Sequence, residues 1–414
     1  MKYISLKKLY YKDNQNHQQT YQQRFNAPFT EHINIPIRQY NRNKVYPAFF
    51  CLTKEIAKLQ ENILSANNKL LQIVDVTPEI VLKQLALLCI IDEVKSSNEI
   101  EGVHSTRREL MDAMSSLKKG TRYVSTIYKY HLLTNQKEIP FATCHDLRQF
   151  YDEFAHDEVI TENAANRLDG NIFRAGSVDI EAPTGKSIHR GVYPESKIIA
   201  YMETLLGIFN DKDLPVLIST ALCHYLFAYI HPFYDGNGRT ARFLTSYQLT
   251  QVLHYTVALR LSITIKKNRK DYYDLFSLTD DENNCGDLTP FVTGFLHITH
   301  QTVNDTIALL QRKLAQYKKN LAILEQISKD ALSQDIYKLL FQASLLYGQG
   351  ITMQELSKLL DKSPNTIKSR LQAMPNEHII IIQRNRKKFY KLNLLLLKKI
   401  EASSVCVEEF PKKI

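Results

Sequence analysis

The sequence predicts a mainly α-helical protein with one β hairpin near its middle and a small separate unit at its C-terminal end. Apolar residues recur at helical spacing over most of residues 53–318, and glycine, proline and β-type runs concentrate at 170–195. Residues 334–400 combine two short helical patterns with two strands. The length of 414 residues allows two or three domains. We place the domains at 1–115, 116–318 and 319–414.

The N-terminal third is predicted to begin irregularly and then become helical. Residues 1–45 are rich in Asn, Gln, Lys and Tyr and show weak periodicity, which favours an extended or irregular arm. Helical spacing begins at 53–73. A Thr-Pro step, in which the threonine caps a helix that starts at the proline, predicts a second helix over 79–94. A third helix is predicted over 105–117.

The central segment is predicted to contain a hairpin and then a buried helix. Residues 170–195 hold four glycines and two prolines around two β-type runs, which is typical of a hairpin or flap. A helix is predicted over 195–210. Residues 214–230 are apolar almost all round, so the helix that they form should be buried. This helix leads directly into residues 231–242, HPFYDGNGRTAR.

The C-terminal segment has a pattern typical of a winged helix-turn-helix. Lys368, Ser369 and Arg370 would lie on its second helix, and the basic turn at 383–388 would be the wing. A solvated loop is the ordinary interpretation of a run of charges, but the position of this run between two strands favours a wing. The predicted elements are helices over 353–360 and 365–374 and strands over 379–382 and 389–392.

Composition limits the class of partner and the compartment. The formal net charge of +10 favours an anionic partner, and a nucleotide, a nucleic acid or an acidic protein would each fit. The six cysteines show no metal-ligand or redox spacing, so we expect reduced core residues of a cytoplasmic protein. The longest apolar stretch, around residues 85–91, is too short to span a membrane, and no signal peptide is predicted.

The segment 231–242 carries the strongest chemical signal in the chain. Gly236 and Gly238 allow the backbone to approach an anion closely and to adopt positive φ angles. Asn237 and Arg239 add hydrogen-bond donors, and a helix-compatible run follows, so the loop leads into a helix N-terminus that favours negative charge. A plain glycine turn before a core helix does not need this mixture of residues. The segment therefore predicts a phosphate site.

Two further residues of this segment suit reaction chemistry. Asp235 can hold Mg²⁺ through oxygen against the same phosphates. His231 is the candidate base, since an imidazole with an ordinary pKa near 6.5 is suitably placed for proton transfer near neutral pH. Phosphoryl-type transfer depends mainly on positioning and charge neutralisation, which a metal and two arginines supply.

This segment resembles the core motif of the Fic (filamentation-induced-by-cAMP) family, HxFx(D/E)GNGRxxR. Residues 97–102 are similar to the inhibitory motif of that family, (S/T)xxxE(G/N), through Ser97, Glu101 and Gly102. On these six residues alone, an ordinary helix end would be the better interpretation. The resemblance covers roughly residues 50–310 and implies a Fic-type helical bundle, for which a C-terminal winged helix is a common companion. The matched core positions are His231, Phe233, Asp235, Gly236, Asn237, Gly238, Arg239 and Arg242.

The resemblance implies a protein adenylyltransferase, which moves AMP from ATP to a Ser, Thr or Tyr hydroxyl of a target protein. His231 would take the proton of that hydroxyl, Asp235 would ligate Mg²⁺, and Arg242 would hold the γ-phosphate. Tyr273 matches an adenine-contacting tyrosine, although a packing role is equally compatible with two adjacent tyrosines. Phe233 would be a packing residue. The phosphates would be cradled by Gly236, Asn237, Gly238 and Arg239.

The resemblance also implies regulation and a docking element. If Glu101 pairs with Arg242, the triphosphate cannot reach its reactive position, so the enzyme would be autoinhibited. The flap at 170–195 would receive the backbone of the target as an added strand, with Val178 and Ile180 as edge positions.

Three alternatives remain open at the level of the sequence. In some relatives the same glutamate supports removal of AMP, which would make the enzyme bifunctional. The chain could instead be a DNA-binding transcriptional regulator that uses the Fic core as a sensor. A different transfer on the same scaffold is the third option. The implied partners are an unidentified target protein, the protein itself through self-modification, DNA through the winged helix, and a second copy, since Fic cores often pair.

Overall fold

A computed structural model describes residues 3–115, 122–181, 185, 187–345, 350–384 and 387–400. The chain is mainly helical with a central hairpin, which confirms the predicted fold class. It divides into two compact units, which we call the first unit (1–72 and 88–307) and the second unit (73–87 and 308–414). The domain boundaries expected at 115 and 318 stay predictions. Within the described residues, no helix has the length and apolar character needed to cross a membrane.

Residues 3–45 include two helices and a strand, so the prediction of an irregular arm was wrong. The Tyr3 hydroxyl donates to the buried Asp287 carboxylate over 2.6 Å, and Leu6 and Tyr21 pack against Phe49 in a small apolar cluster. These contacts join residues that are far apart in sequence, and local periodicity cannot reveal them. The elements are α1 (Leu6–Lys12), α2 (Asn14–Phe25) and the antiparallel strands β1 (Thr30–Ile37) and β2 (Tyr46–Cys51).

The next helices follow the predicted order with one change of length. The helix predicted over 79–94 continues to Ile100, since the chain offers it no glycine or proline before Gly102. Gly102 has φ +77°, a conformation that ends a helix at low cost for glycine. Leu117, in the third predicted helix, lies outside the described residues. The helices are α3 (Lys54–Asp75), α4 (Glu79–Ile100), α5 (Arg107–Ser115), α6 (Val124–Thr134), α7 (Cys144–Tyr151) and α8 (Asp157–Glu162).

The hairpin and the buried helix of the central segment are confirmed. Two antiparallel strands form the hairpin, which we call the flap, and the next helix has the predicted bounds. The helix after it is buried along almost its whole length. The elements are β3 (Asp179–Glu181), β4 (Ser187–Arg190), α9 (Glu195–Asn210), α10 (Val216–Ile230), α11 (Asn237–Leu249), α12 (Tyr255–Ala258), α13 (Leu261–Lys267), α14 (Arg269–Thr279) and α15 (Thr289–Ile327).

The second unit contains the two short helices and the strand pair that the sequence predicts. Ile336, Leu356 and Ile367 are buried in one apolar cluster that holds its helices together. A short strand joins the strand pair, and the antiparallel order is β5-β7-β6. Asn385 and Arg386 of the basic turn lie outside the described residues. The elements are α16 (Ala331–Leu345), β5 (Ile351–Thr352), α17 (Met353–Leu360), α18 (Pro364–Ala373), β6 (Ile379–Arg384) and β7 (Lys387–Leu392).

Candidate active site

The loop between α10 and α11 begins at a histidine in a left-handed backbone conformation. His231 has φ 54° and ψ 62°, and its amide donates to the Phe227 carbonyl over 2.9 Å. A non-glycine residue in this region costs about 1–2 kcal/mol, so the surrounding contacts must hold it there. Gly236, with φ 79°, then precedes the first residue of α11. The loop is therefore a tight connection between two buried helices, with the histidine at one end.

The asparagine of the loop has a structural function that the sequence analysis missed. Asn237 Oδ1 accepts from the Phe233 amide over 2.9 Å, and Asn237 Nδ2 donates to the Phe233 carbonyl over 2.8 Å. Its side chain thus closes the loop upon itself. One N–H of its side-chain amide is used in this way, so its backbone amide and the second N–H of Nδ2 remain for the predicted phosphate cradle.

Tyr151 on α7, a second residue that sequence reasoning missed, packs against the loop. The Tyr151 ring stacks on Phe233 with centroids 3.7 Å apart, and the Tyr151 hydroxyl donates to the Asp235 carbonyl over 3.0 Å. The same ring lies against Gly236, where an added β-carbon would meet it at 3.2 Å. No local pattern in the sequence connects Tyr151 with the loop, because the contact depends on how α7 packs.

The last turn of α4 surrounds Arg242. The arginine is buried, and it donates through Nε to Ser97 Oγ over 2.9 Å and through Nη2 to the Ser97 carbonyl over 2.9 Å. Its Nη1 donates to Glu101 Oε1 over 2.6 Å. The structure therefore brings Ser97 and Glu101 of one sequence motif together with Arg242 of the other.

The Glu101 carboxylate also covers the N-terminus of α11. A β-carbon built at Gly238 would overlap this carboxylate, with the Glu101 Cδ only 2.5 Å away. Free backbone N–H groups at a helix N-terminus favour negative charge. The carboxylate therefore lies where the loop is suited to an anion, and only a glycine at 238 leaves room for it.

Arg239 lies in the first turn of α11 and has side-chain N–H donors without a partner among the described residues. It is buried, its Nη1 is 3.4 Å from Glu158 Oε2, and its Nη2 is 3.8 Å from Asp235 Oδ2. In the described part of the chain, its Nε and Nη2 have no hydrogen-bond partner. Burial raises the pKa of Glu158, and the nearby Arg239 opposes that shift. Donors left unpaired in a buried position favour an anionic ligand.

Asp235 suits a metal that is shared with phosphates rather than a closed protein site. Among the described residues, no group of three or more His, Cys, Asp or Glu side chains could hold a metal ion. The Asp235 carboxylate is partly exposed at the loop, where Oδ1 accepts from the Gly236 amide over 2.5 Å. Mg²⁺ typically uses one or two protein carboxylates, several waters and substrate phosphates, and a single carboxylate beside an anion loop fits that donor set.

The environment of His231 keeps its imidazole neutral. Removal of the ring from water, together with the nearby His189 and Arg174, lowers the pKa of His231 to about 3. The ring therefore carries no charge at neutral pH and can accept a proton there. His189 lies on β4, its Nε2 donates to the Tyr229 carbonyl over 2.7 Å, and its Nδ1 is 3.7 Å from Asp280 Oδ2.

The flap presents a different edge from the one expected. The Val178 carbonyl accepts from the Gly191 amide over 3.0 Å, and Ile180 pairs with His189. By the alternation of antiparallel strands, the backbone groups of Val178 and Ile180 point towards β4, and those of Asp179 point to the open side of β3. The two expected edge positions thus flank the outward-facing residue. A docking function for the flap stays a prediction.

Tyr273 lies on α14 close to the inhibitory segment. Its side chain is partly exposed, and the Arg269 guanidinium is 5.7 Å from the centre of its ring. Burial raises its pKa, and the nearby Glu101 carboxylate adds to that shift. Tyr272 points inward instead, where its hydroxyl is 2.7 Å from His224 Nε2. Of the two adjacent tyrosines, Tyr273 is the one available to a ligand.

These elements form a helical protein in which the loop between α10 and α11 begins at a neutral histidine and is covered by the Glu101 carboxylate. The model of the Fic/DOC family matches residues 145–249. The chain is 35% identical over 114 residues to a protein adenylyltransferase Fic from Nematostella vectensis, covering 26% of this chain and 25% of that protein. It is 32% identical over 177 residues to a protein adenylyltransferase Fic from Drosophila mojavensis, covering 41% and 33%. Residues 145–249 therefore form a Fic domain.

A solved structure agrees with this fold. The crystal structure of a Fic family protein from Desulfovibrio desulfuricans G20 superposes with a TM-score of 0.50 at 19% sequence identity, covering 83% of this chain and 97% of that one. At this identity the likeness concerns the fold alone. The matched regions of the two adenylyltransferases amount to a quarter and a third of their lengths.

Proposed function

We propose that the protein is a protein adenylyltransferase that transfers AMP from ATP to a Ser, Thr or Tyr hydroxyl of a target protein. One observation carries the proposal: the Glu101 carboxylate occupies the N-terminus of α11 while bound to Arg242, directly beside the loop that begins at His231. A helix N-terminus that accommodates a carboxylate can also accommodate a phosphate group, since both are anions. The names of the two animal relatives support the choice of adenylyl transfer.

The transfer assigns one task to each side chain of the loop. As the target hydroxyl oxygen forms a bond with the α-phosphorus, the bond from that phosphorus to the bridging oxygen breaks and pyrophosphate leaves. The proton of the hydroxyl passes to the neutral His231 imidazole. The free donors of Arg239 would bind phosphate oxygens. Asp235 would hold Mg²⁺, which supplies charge neutralisation when it is bound.

The proposal includes inhibition by the protein's own Glu101. Arg242 already makes hydrogen bonds to Ser97 and Glu101 with all three of its nitrogens. A γ-phosphate that binds Nη1 of this guanidinium would compete with the Glu101 carboxylate, which already accepts from that nitrogen. The unaltered protein should therefore bind ATP weakly in its reactive position, and movement of Glu101 should activate it.

The direct test follows the position of a label in ATP. The Glu101→Gly variant is incubated with Mg²⁺ and ATP labelled at either the α- or the γ-phosphate, and intact mass is measured on the protein and on added cell extract. Incorporation of the α-label with a gain of one AMP supports the proposal. Transfer of the γ-label, or no transfer after activation, refutes it. Release of AMP from the modified protein by the unaltered enzyme would add the reverse reaction.

A second candidate function is DNA binding by the second unit. Its helix-turn-helix exposes Lys368, Ser369 and Arg370 on α18, on the side away from the buried Ile367 and Leu371. We propose that this unit is a winged helix and that α18 is its recognition helix. This activity can coexist with AMP transfer, because it uses other residues. The side chain of Arg384, at the predicted wing, is not among the side chains that the structure describes.

Duplex binding should depend strongly on salt if this second proposal is correct. A Lys368→Ala change is expected to weaken binding to all sequences and to lower the salt slope by about one, because one phosphate contact is lost. The measurement is fluorescence anisotropy with a labelled duplex at several salt concentrations. Lys58→Ala, an exposed lysine on α3, is the matched control and should leave the slope unchanged. Binding that is insensitive to salt would rule out this function.

We also propose the partners of the protein and its cellular compartment. A target protein follows from the proposed chemistry, and self-modification and a homodimer are further expectations of the family resemblance. We propose a cytoplasmic location. The five cysteines in the described residues are free and buried, which suits a reducing compartment.

A further inference from the structure

Arg174 is a buried guanidinium whose hydrogen bonds all go to the backbone. Its side chain is fully buried. In the described part of the chain, its hydrogen-bond partners are carbonyl oxygens. A charge in the interior is costly unless its donors are satisfied, so a residue held in this way needs a reason. Sequence analysis gave no role to Arg174, and the proposed reaction steps do not use it.

The three carbonyls nearest to Arg174 belong to three segments of the site. Arg174 Nε donates to the His231 carbonyl over 2.9 Å, Nη1 donates to Gly176 over 2.5 Å, and Nη2 donates to Val192 over 2.7 Å. Gly176 precedes the first strand of the flap and Val192 follows the second. One planar group thus joins both arms of the flap to the backbone of the proposed base.

The flap, Arg174 and His231 are in close contact at Gly191. A β-carbon at Gly191 would lie 2.5 Å from Arg174 Nη2 and 3.1 Å from the His231 β-carbon. The backbone amide of Arg174 also donates to the Pro232 carbonyl over 3.3 Å. His231 keeps its left-handed conformation, φ 54°, within these contacts. The orientation of the imidazole is therefore tied to the position of the flap.

We propose that Arg174 is a positioning residue, which fixes the base His231 and the flap that presents the target hydroxyl in one geometry. The inference rests on the proposed adenylyl transfer. A hydroxyl held by the flap and an imidazole held by the loop must meet within hydrogen-bond distance, and a misplacement of about 1 Å can cost on the order of 10²-fold in rate. The rigid fork of a guanidinium, with five donors in one plane, can satisfy three carbonyls at once.

The test separates the charge of Arg174 from its fork geometry. Arg174→Lys and Arg174→Met are made in the Glu101→Gly background, and self-modification with α-labelled ATP gives kcat and the KM for ATP at several pH values. Arg122→Met, an exposed arginine paired with Glu162, is the matched control. Hydrogen exchange at the Gly191 and Val192 amides reports on the flap without any need for activity. Thermal unfolding and ATP binding report on the fold.

Both variants are expected to lower kcat about 10- to 100-fold, with ATP binding retained and exchange at the flap faster. Only Arg174→Met should shift the acid limb of the pH profile upwards. The Arg174 charge helps to hold down the pKa of His231, and lysine keeps that charge. An unchanged kcat with unchanged exchange overturns the proposal. A variant that no longer binds ATP and no longer shows a cooperative thermal unfolding transition also overturns the proposal, since Arg174 would then act on stability alone.

The design distinguishes this inference from the proposed function. If Glu101→Gly itself incorporates no label, the proposed adenylyl transfer fails, and the exchange measurement still decides whether Arg174 holds the flap. If Glu101→Gly is active and the Arg174 variants are equally active, only the positioning role fails.

Discussion

Replacement of Glu101 by glycine is expected to raise AMP transfer about 10- to 100-fold above the unaltered protein. The carboxylate accepts a 2.6 Å charge-assisted hydrogen bond from Arg242 and covers the N-terminus of α11 at Gly238. A hydrogen bond to a charged group contributes about 1.5–3 kcal/mol. Each 1.4 kcal/mol corresponds to about tenfold in an equilibrium, so release of this bond predicts the stated range. Ser97 should keep Arg242 in place after the change, because two of its three contacts remain.

The measurement is initial velocity with α-labelled ATP at concentrations below and above saturation, so that ATP affinity and kcat are separated. Glu101→Gln should activate less than glycine, since the amide still fills the space over the loop. Glu99→Gln is the matched control, because Glu99 lies two residues away and pairs instead with Lys95 and Lys266. Equal activity of Glu101→Gly and the unaltered protein, with ATP bound by both, would contradict autoinhibition by this residue.

Replacement of His231 by alanine in the Glu101→Gly background is expected to reduce kcat about 10²- to 10⁴-fold, the typical contribution of a general base. ATP affinity should change little, because the proposed phosphate donors belong to Arg239, Arg242 and the start of α11. The imidazole is the free base at neutral pH, since its surroundings lower the pKa of His231 to about 3. The loss should therefore be similar at pH 7 and pH 8.

The control for this prediction is His297→Ala, which removes an exposed histidine of α15. Thermal unfolding of both variants shows whether the left-handed turn at residue 231 survives the change. Retention of most of the AMP transfer after loss of His231, in a folded protein that binds ATP, would show that another group accepts the proton.

Much of the helical architecture could be predicted because it depends on local pattern. The continuous apolar run at 214–230 indicated a buried helix, and the helix predicted over 195–210 has those bounds in the structure. The first 45 residues could not be predicted in the same way. Their order depends on contacts such as Tyr3 with Asp287, which chain topology creates and no local periodicity encodes.

Some residues of the candidate site could likewise be predicted from local sequence, and others could not. Residues 231–242 could be found from their own composition, because an anion loop needs glycines, donors and a helix start within a few positions. Tyr151 and Arg174 could not be found, because each acts on the loop from a distant segment. Asn237 was found, but the use of its side chain to close the loop on Phe233 required coordinates.

The sequence by itself determined the chemistry that we propose for this protein. A histidine, a carboxylate, two glycines and two arginines at fixed spacing can form one local loop, whatever the rest of the chain does. Only the tertiary structure decided what that loop faces, because Glu101 and Arg242 are separated by 141 residues and meet through the packing of α4 on α11. Contacts over such separations depend on how helices pack, and side-chain spacing along the chain does not specify that packing.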